Sequence, residues 1–341
     1  MKPSARSTST MADAQVHPPQ RSPWDPYWKL MRLHKFPAGS IHVFWPCAWG
    51  LTMSAYTTKM PPGQLALLTA LYLVGSTIRH NASCIWNDIC DRDFDRQVER
   101  CKKRPLVSGA ISMHGAVLLL ATQLILGLGL LAYSGAIGCD CFCLLLVCTH
   151  SWLDGDRFSL GIFGLLLLDI PYPLMKRWTS WPQAFLGLAM TWGLPVAWFA
   201  NAGLSHGLWI LALFFGGVCW TIHYDTIYAC QDRVDDVKAG VRSTAVLFGD
   251  NIRWILAFFS TMFVISLAYA GLKNGNGPLY FVLTVAGTAV HLTWQLSVVD
   301  FDSGADCWRM FKANGDLGYL IWAGMLCDYC YRVLPVGARP S

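Results

Sequence analysis

Two acid-rich stretches hold the residues best suited to chemistry. The first reads Asn87-Asp88-Ile-Cys-Asp91-Arg92-Asp93-Phe94-Asp95 and is followed by Arg100, Lys102, Lys103 and Arg104. On a continuing helix, at ~100° per residue, Asp88, Asp91 and Asp95 fall within about 60° of one another while Asp93 points elsewhere. The second reads His223-Tyr224-Asp225-Thr-Ile-Tyr228-Ala-Cys-Gln-Asp232-Arg233-Val-Asp235-Asp236. The same count places Asp225, Asp232 and Asp236 within about 40°, with Asp235 to the side. Like charges on one face repel unless a cation sits between them. Mg²⁺ fits, since it prefers a few carboxylates plus phosphate oxygens to an all-protein cage. Metals bridging carboxylate to phosphate, with Lys and Arg neutralising a leaving group, make a diphosphate the matching ligand. A solvated loop at a bilayer edge would account for one such stretch, but poorly for two.

The elements that position these motifs are membrane helices. Of 341 residues, 54% are hydrophobic and only 14% charged, with 16 Trp, 17 Phe and a mean hydropathy of +0.38. Average globular usage is about 25% charged, so a soluble enzyme is excluded. The net charge of +5 from 26 basic and 21 acidic residues, with no basic tract, excludes nucleic acid as a partner. Apolar stretches near 40–57, 64–86, 112–137, 181–201, 205–224, 254–272, 278–298 and 317–334, plus an interrupted one between 139 and 173, make about nine spans. The expected fold is therefore all-α, a polytopic bundle in a lipid bilayer around a central cavity. With the N-terminal segment on one side and loops alternating, 20 of the 26 Lys and Arg fall on that side, the side of both Asp motifs. That side is cytosolic or matrix-facing.

The thirteen Cys show no paired CxxC spacing of the zinc type, and Cys139, Cys141 and Cys143 sit in an apolar run, so they read as packing thiols. Residues 1–28 read as a disordered tail, 29–335 as the membrane domain and 336–341 as a short tail. Met1 to Ala12 weakly matches a mitochondrial presequence, but Asp13, Asp25 and the prolines favour a plain tail. A polar insert at 149–159 interrupts the fourth span: either the helix is broken by a surface loop, or an exon boundary is misassigned.

The two motifs, with Arg104-Pro-Leu after the first and Gly240-Val-x-Ser243-Thr-Ala after the second, resemble the signatures of the UbiA superfamily of intramembrane prenyltransferases. Arg32-x-His34-Lys35-x-Pro37-x-Gly39, Tyr172-Pro-Leu-Met-Lys176-Arg177 and Trp181-Pro-Gln resemble it too. The likeness runs from about residue 27 to the C-terminus and is nearest to the 4-hydroxybenzoate polyprenyltransferase group. The His291-Leu-Thr-Trp-Gln295 and Cys307-Trp-x-x-Phe311-x-x-Asn314-Gly segments further resemble fungal members that make meroterpenoids. The resemblance implies a single unbroken fourth helix, from which the insert departs.

The resemblance also implies an aromatic prenyltransferase using a prenyl diphosphate, farnesyl or similar, and an aromatic acid or phenol acceptor. Asp88, Asp91 and Asp95 would hold one Mg²⁺, and Asp232 with Asp236 a second. Asn87, Arg100, Lys102, Lys103, Arg104 and Lys176 would meet the diphosphate. Tyr224 and Tyr228 offer π-faces to an allylic cation, and Asp225 or Asp235 a proton acceptor. Arg32 and Arg79 are expected to anchor an acceptor carboxylate, although Arg79 could instead snorkel. A secondary-metabolite enzyme of the endoplasmic reticulum is favoured over a ubiquinone enzyme of the mitochondrial inner membrane. A membrane terpene cyclase or an ion-coupled transporter is the competing class.

Overall fold

The computed structural model describes residues 22–136, 164–203 and 206–333, which are helical with no strand among them. A short helix α1 (Asp25–Leu30) and a 3₁₀ turn (Leu33–Lys35) lead into α2 (Ser40–Thr58), α3 (Pro62–Asp95) and α4 (Met113–Ala136). Tyr27 and Leu30 pack against Ile85, Leu106 and Ile111. After residue 163 come a π-helical stretch (Gly164–Asp169), α5 (Tyr172–Trp178), α6 (Pro182–Thr191) and α7 (Gly193–Ala202). Then follow α8 (Ile210–Ala229), a 3₁₀ turn (Cys230–Asp232), α9 (Arg233–Ala239), α10 (Thr244–Phe248) and α11 (Ile252–Asn274). A second π-helical stretch (Tyr280–Ala286), α12 (Gly287–Val298) and α13 (Gly304–Val333) complete the described chain.

Among the described residues, four stretches combine the length and apolarity to cross a membrane: Pro182–Ala202, Ile210–Ala239, Thr244–Asn274 and Tyr280–Val298. The insert at 149–159 and most of the expected fourth span lie outside the described residues.

The core is built around α2, in which every residue from Ser40 to Tyr56 is buried. A helix apolar on all sides belongs inside a bundle, and α2 packs against α3, α7 and α13. Its close approach to α7 depends on Gly50, where an added Cβ would collide with the Leu194 carbonyl oxygen and backbone. Small residues allow this backbone-to-backbone packing between membrane helices. Gly50→Ala is expected to destabilise the fold by about 1–3 kcal/mol through overpacking, measured as a lowered thermal transition in detergent.

Candidate active site

Helix α3 starts on Pro62 in its first turn, where a missing N–H costs nothing. Its 34 residues reach about 50 Å. Its last turns bear Asp88, Asp91 and Asp95, which are 1%, 3% and 6% exposed. Carboxylates at a helix C-terminus oppose the macrodipole, so cations from elsewhere must hold them. Arg32 grips Asp88 with two contacts, 2.7 and 2.9 Å. Arg104 bridges Asp88 at 3.0 Å and Asp95 at 2.5 Å. Lys176 on α5 donates to Asp91 at 2.9 Å. Arg177 stands beside it, over the Phe94 ring and bonded to the Cys90 carbonyl. Arg32 adopts a left-handed backbone, φ +61°, a conformation that costs a non-glycine residue energy and clusters at functional sites.

The second motif does not continue one helix. Helix α8 stops at Ala229, the 3₁₀ turn Cys230–Asp232 intervenes, and α9 restarts at Arg233. The unbroken helix on which the 40° grouping of Asp225, Asp232 and Asp236 was counted is interrupted there. The break places Asp235 and Asp236 in the first turn of α9, where the macrodipole favours them. Gly240, at φ +67°, ends α9 with Val241 N–H bonded back to the Asp236 carbonyl, a turn that needs the left-handed conformation.

Arg100 ties the motifs together. It donates to both oxygens of Asp232, at 2.8 and 2.5 Å, and to the Tyr228 hydroxyl at 2.8 Å. The Glu99 N–H also donates to Asp235 at 3.3 Å. Asp225 and Asp236 have no side-chain partner among the described residues; Lys176 and Arg100 are the cations within electrostatic reach of both. Desolvation first, and then repulsion by Arg100, Arg32 and Arg104, hold the Lys35 ammonium below its ordinary range. Its Nζ lies 4.8 Å from the centre of the Trp308 ring. Positive charge is therefore concentrated at this end of the bundle.

Below the charges runs an aromatic wall. The Arg100 guanidinium covers Tyr228 at 5.1 Å. Tyr228 packs on Phe311 at 4.8 Å, and Tyr224 on His42 at 4.7 Å and Trp220 at 4.9 Å. A buried chain of hydrogen bonds fixes α8 from behind. His223 bonds Ser260 at 2.8 Å and Gln295 at 3.1 Å, Asn314 donates to Gln295 at 3.0 Å, and Trp220 donates to Asn314 at 3.0 Å. Gln295 and Asn314, from the two C-terminal segments singled out in the sequence, thus meet at one point.

Not every residue singled out converges. Asn87 is half-buried beside Asp88. Lys102 and Lys103 are exposed, and Lys102 pairs with Glu99 instead of the Asp groups. Arg79 is committed to Asp169 at 3.0 and 2.8 Å and to the Ala189 carbonyl at 2.7 Å, pinning α3 to the π-helical stretch. Arg32 serves the Asp cluster. Residues the sequence reading did not single out also face the site. Cys84 and His80 lie one and two turns before Asp88, and the i−4, i−8 spacing was the signal that could have found them.

The donor set suits Mg²⁺: the available groups are carboxylate oxygens, and two of them, Asp225 and Asp236, have no side-chain hydrogen bond or ion pair among the described residues. As arranged, no three His, Cys, Asp or Glu side chains among the described residues converge on one point. The other carboxylates are held by Arg and Lys, groups that also pair with phosphate oxygens.

The UbiA prenyltransferase family model matches residues 43–320. UbiA prenyltransferase claS of Ampulloclitocybe clavipes is 41% identical over 309 residues, covering 90% of this chain and 92% of that protein. The mitochondrial 4-hydroxybenzoate polyprenyltransferase of Schizosaccharomyces pombe is 37% identical over 308 residues, covering 90% of this chain and 80% of that protein. Among solved structures, a UbiA homolog from Aeropyrum pernix K1 superimposes with a TM-score of 0.64 at 22% identity, over 85% of this chain and 97% of that one. A UbiA homolog from Archaeoglobus fulgidus, bound to GPP and Mg²⁺, does so with a TM-score of 0.58 at 19% identity, over 89% and 99%. At these identities the structural likeness shows a shared fold.

Proposed function

This chain belongs to the UbiA prenyltransferase family, and we propose that it moves a prenyl group, farnesyl or one of similar length, from its diphosphate to an aromatic acid or phenol in meroterpenoid biosynthesis. The observation that carries the reading is the Arg100 link, which ties the loop after the first acidic motif to Asp232 of the second, while Lys176 and Arg104 pair with Asp91 and Asp88 of the first. Asp88, Asp91, Asp95, Asp232 and Asp236 would hold Mg²⁺. When bound, the metal neutralises charge on the diphosphate leaving group.

Arg32, Arg100, Arg104 and Lys176 bind the diphosphate oxygens and offset the charge that grows as the C–O bond breaks. Tyr224, Tyr228 and Phe311 face the allylic carbon and stabilise its positive charge. The acceptor ring forms the new C–C bond, and the proton lost from that ring carbon passes to Asp225, a carboxylate without a side-chain partner among the described residues.

A second reading, a 4-hydroxybenzoate polyprenyltransferase of ubiquinone biosynthesis, is favoured by the name of the S. pombe relative. The mitochondrial label of that relative supports a mitochondrial membrane, and the endoplasmic reticulum has no comparable support. An ion-coupled transporter is set aside, because the family is one of transferases.

Membranes carrying the protein, given labelled farnesyl diphosphate, Mg²⁺ and an aromatic acid, are expected to release diphosphate only when the acceptor is present. EDTA should stop the release and added Mg²⁺ restore it. Equal release without acceptor would mean cyclisation or hydrolysis, and undiminished activity in EDTA would remove the metal from the reading.

A further inference from the structure

We propose that Gln183, the last residue of Trp181-Pro-Gln, is a positioning residue for Asp236: it anchors the turn that follows α9 and so fixes where that carboxylate stands in the second acidic motif. This rests on the reading above that Asp236 is a Mg²⁺ ligand.

Helix α9 is too short to place itself. It has seven residues, Arg233–Ala239, fewer than the ~12–15 that an isolated helix needs in water. Its ends must therefore be held from outside. The first end is held by the Cys230–Asp232 turn and by the Arg100 grip on Asp232. Asp236 itself is buried and has no side-chain partner among the described residues, so its carboxylate takes its position from the backbone beneath it.

The second end is held by the chain that follows. Gly240 turns it, and Val241 N–H donates to the Asp236 carbonyl at 2.9 Å. Arg242 N–H then donates to the Lys176 carbonyl at 3.1 Å, and the Arg242 guanidinium to the Trp178 carbonyl at 3.2 Å. Thr244 opens α10, where its N–H has no partner within the helix. Gln183 Oε1 on α6 accepts that N–H at 2.9 Å, and the Thr244 hydroxyl meets that of Thr226 on α8 at 2.5 Å. Gln183, Thr226 and Thr244 are all buried, so no water replaces a lost partner. Two membrane-crossing stretches thus grip one residue of the strap.

The strap also reaches the first motif. Lys176 holds Asp91 with its ammonium at 2.9 Å while its carbonyl takes the Arg242 N–H. A turn displaced at Thr244 would therefore shift Asp236 relative to Asp91. Of the groups that hold the turn, Gln183 is a side chain from a separate helix, and it can be changed without altering either motif.

The test uses purified protein in detergent with inorganic diphosphate and measures the Mg²⁺ concentration that half-saturates the rise in thermal transition, with turnover followed alongside. Gln183→Leu should raise that concentration about tenfold or more, the usual effect of losing a group that orients a metal ligand. Gln183→Glu keeps an oxygen for the Thr244 N–H and should recover most of the loss. In an Asp236→Asn background Gln183→Leu should add less than about twofold, because residues that act through one another are not additive. An unchanged Mg²⁺ concentration, or an effect that adds in full to Asp236→Asn, overturns the assignment, since a residue serving stability alone gives one or the other. Thr226→Val removes the other anchor of Thr244 at nearly constant size and takes the place of Gln183→Leu should that variant not accumulate. An Asp236→Asn protein with the Mg²⁺ dependence of wild type overturns the reading of Asp236 as a ligand and this assignment with it, so the two failures are distinguishable.

Discussion

Asp91→Asn and Asp232→Asn are each expected to lower acceptor-dependent diphosphate release by about 10³-fold or more, with the protein still inserted in the membrane. Asn keeps the volume and a carbonyl oxygen for Lys176 or Arg100, so the loss reports on the missing charge. Each carboxylate belongs to a different motif, and the proposed site needs both to offset a diphosphate. Removing one electrostatic contact to a developing charge costs about 10²–10³ in kcat, and losing a metal ligand adds to that. Asp93→Asn is the control: Asp93 is 83% exposed and pairs only with Arg96, so its rate should match wild type. Retained turnover in either motif variant would remove the two-motif site.

The second large effect is expected at Arg104. One guanidinium, 19% exposed, serves both Asp88 and Asp95. Arg104→Ala leaves buried Asp95 without its ion pair and Asp88 with Arg32 alone, and breaking such a pair costs about 3–5 kcal/mol. A lowered thermal transition and at least a 100-fold loss of turnover should follow. Arg104→Lys retains the charge but not the planar fork, and should recover much of the stability and less of the rate. Mg²⁺ with inorganic diphosphate should raise the transition of wild type more than that of Arg104→Ala, because ligand binding to the folded state is stabilising and the variant lacks one of the groups that bind the diphosphate. An Arg104→Ala protein as stable as wild type would show that the bridge carries no folding energy.

How much of this was legible in the sequence depended on the range of each interaction. The common face of Asp88, Asp91 and Asp95 was legible because helical periodicity is local and α3 runs unbroken through all three. The second motif was legible as a motif but not as a surface, since a 3₁₀ turn at Cys230–Asp232 leaves no mark on spacing. The cations were the hardest. Arg79 was visible as a charge in an apolar stretch, but its partner Asp169 lies 90 residues away, and the partner of Arg32 lies 56 residues away. Lys102 and Lys103 had the right charge and the right loop, yet a turn at Glu99–Cys101 leaves them outside. Four helical stretches were readable as spans by length and apolarity, whereas the burial of α2 on every side follows only from packing.

That central helix also bears on the order of assembly. Trp45 on α2 donates to the Gly315 carbonyl on α13 at 2.9 Å, and Trp322 on α13 donates to Thr52 at 3.0 Å, each across 270 residues. The Trp45 ring also occupies the space that a side chain at Gly318 would need. Helix α2 therefore waits for α13, made later, before its buried face is covered. Contacts of such separation are made late and at high loop-closure cost. During synthesis α2 keeps an unmatched surface carrying His42, Ser40, Thr52 and Ser54, and the bundle closes as a ring only when α13 arrives.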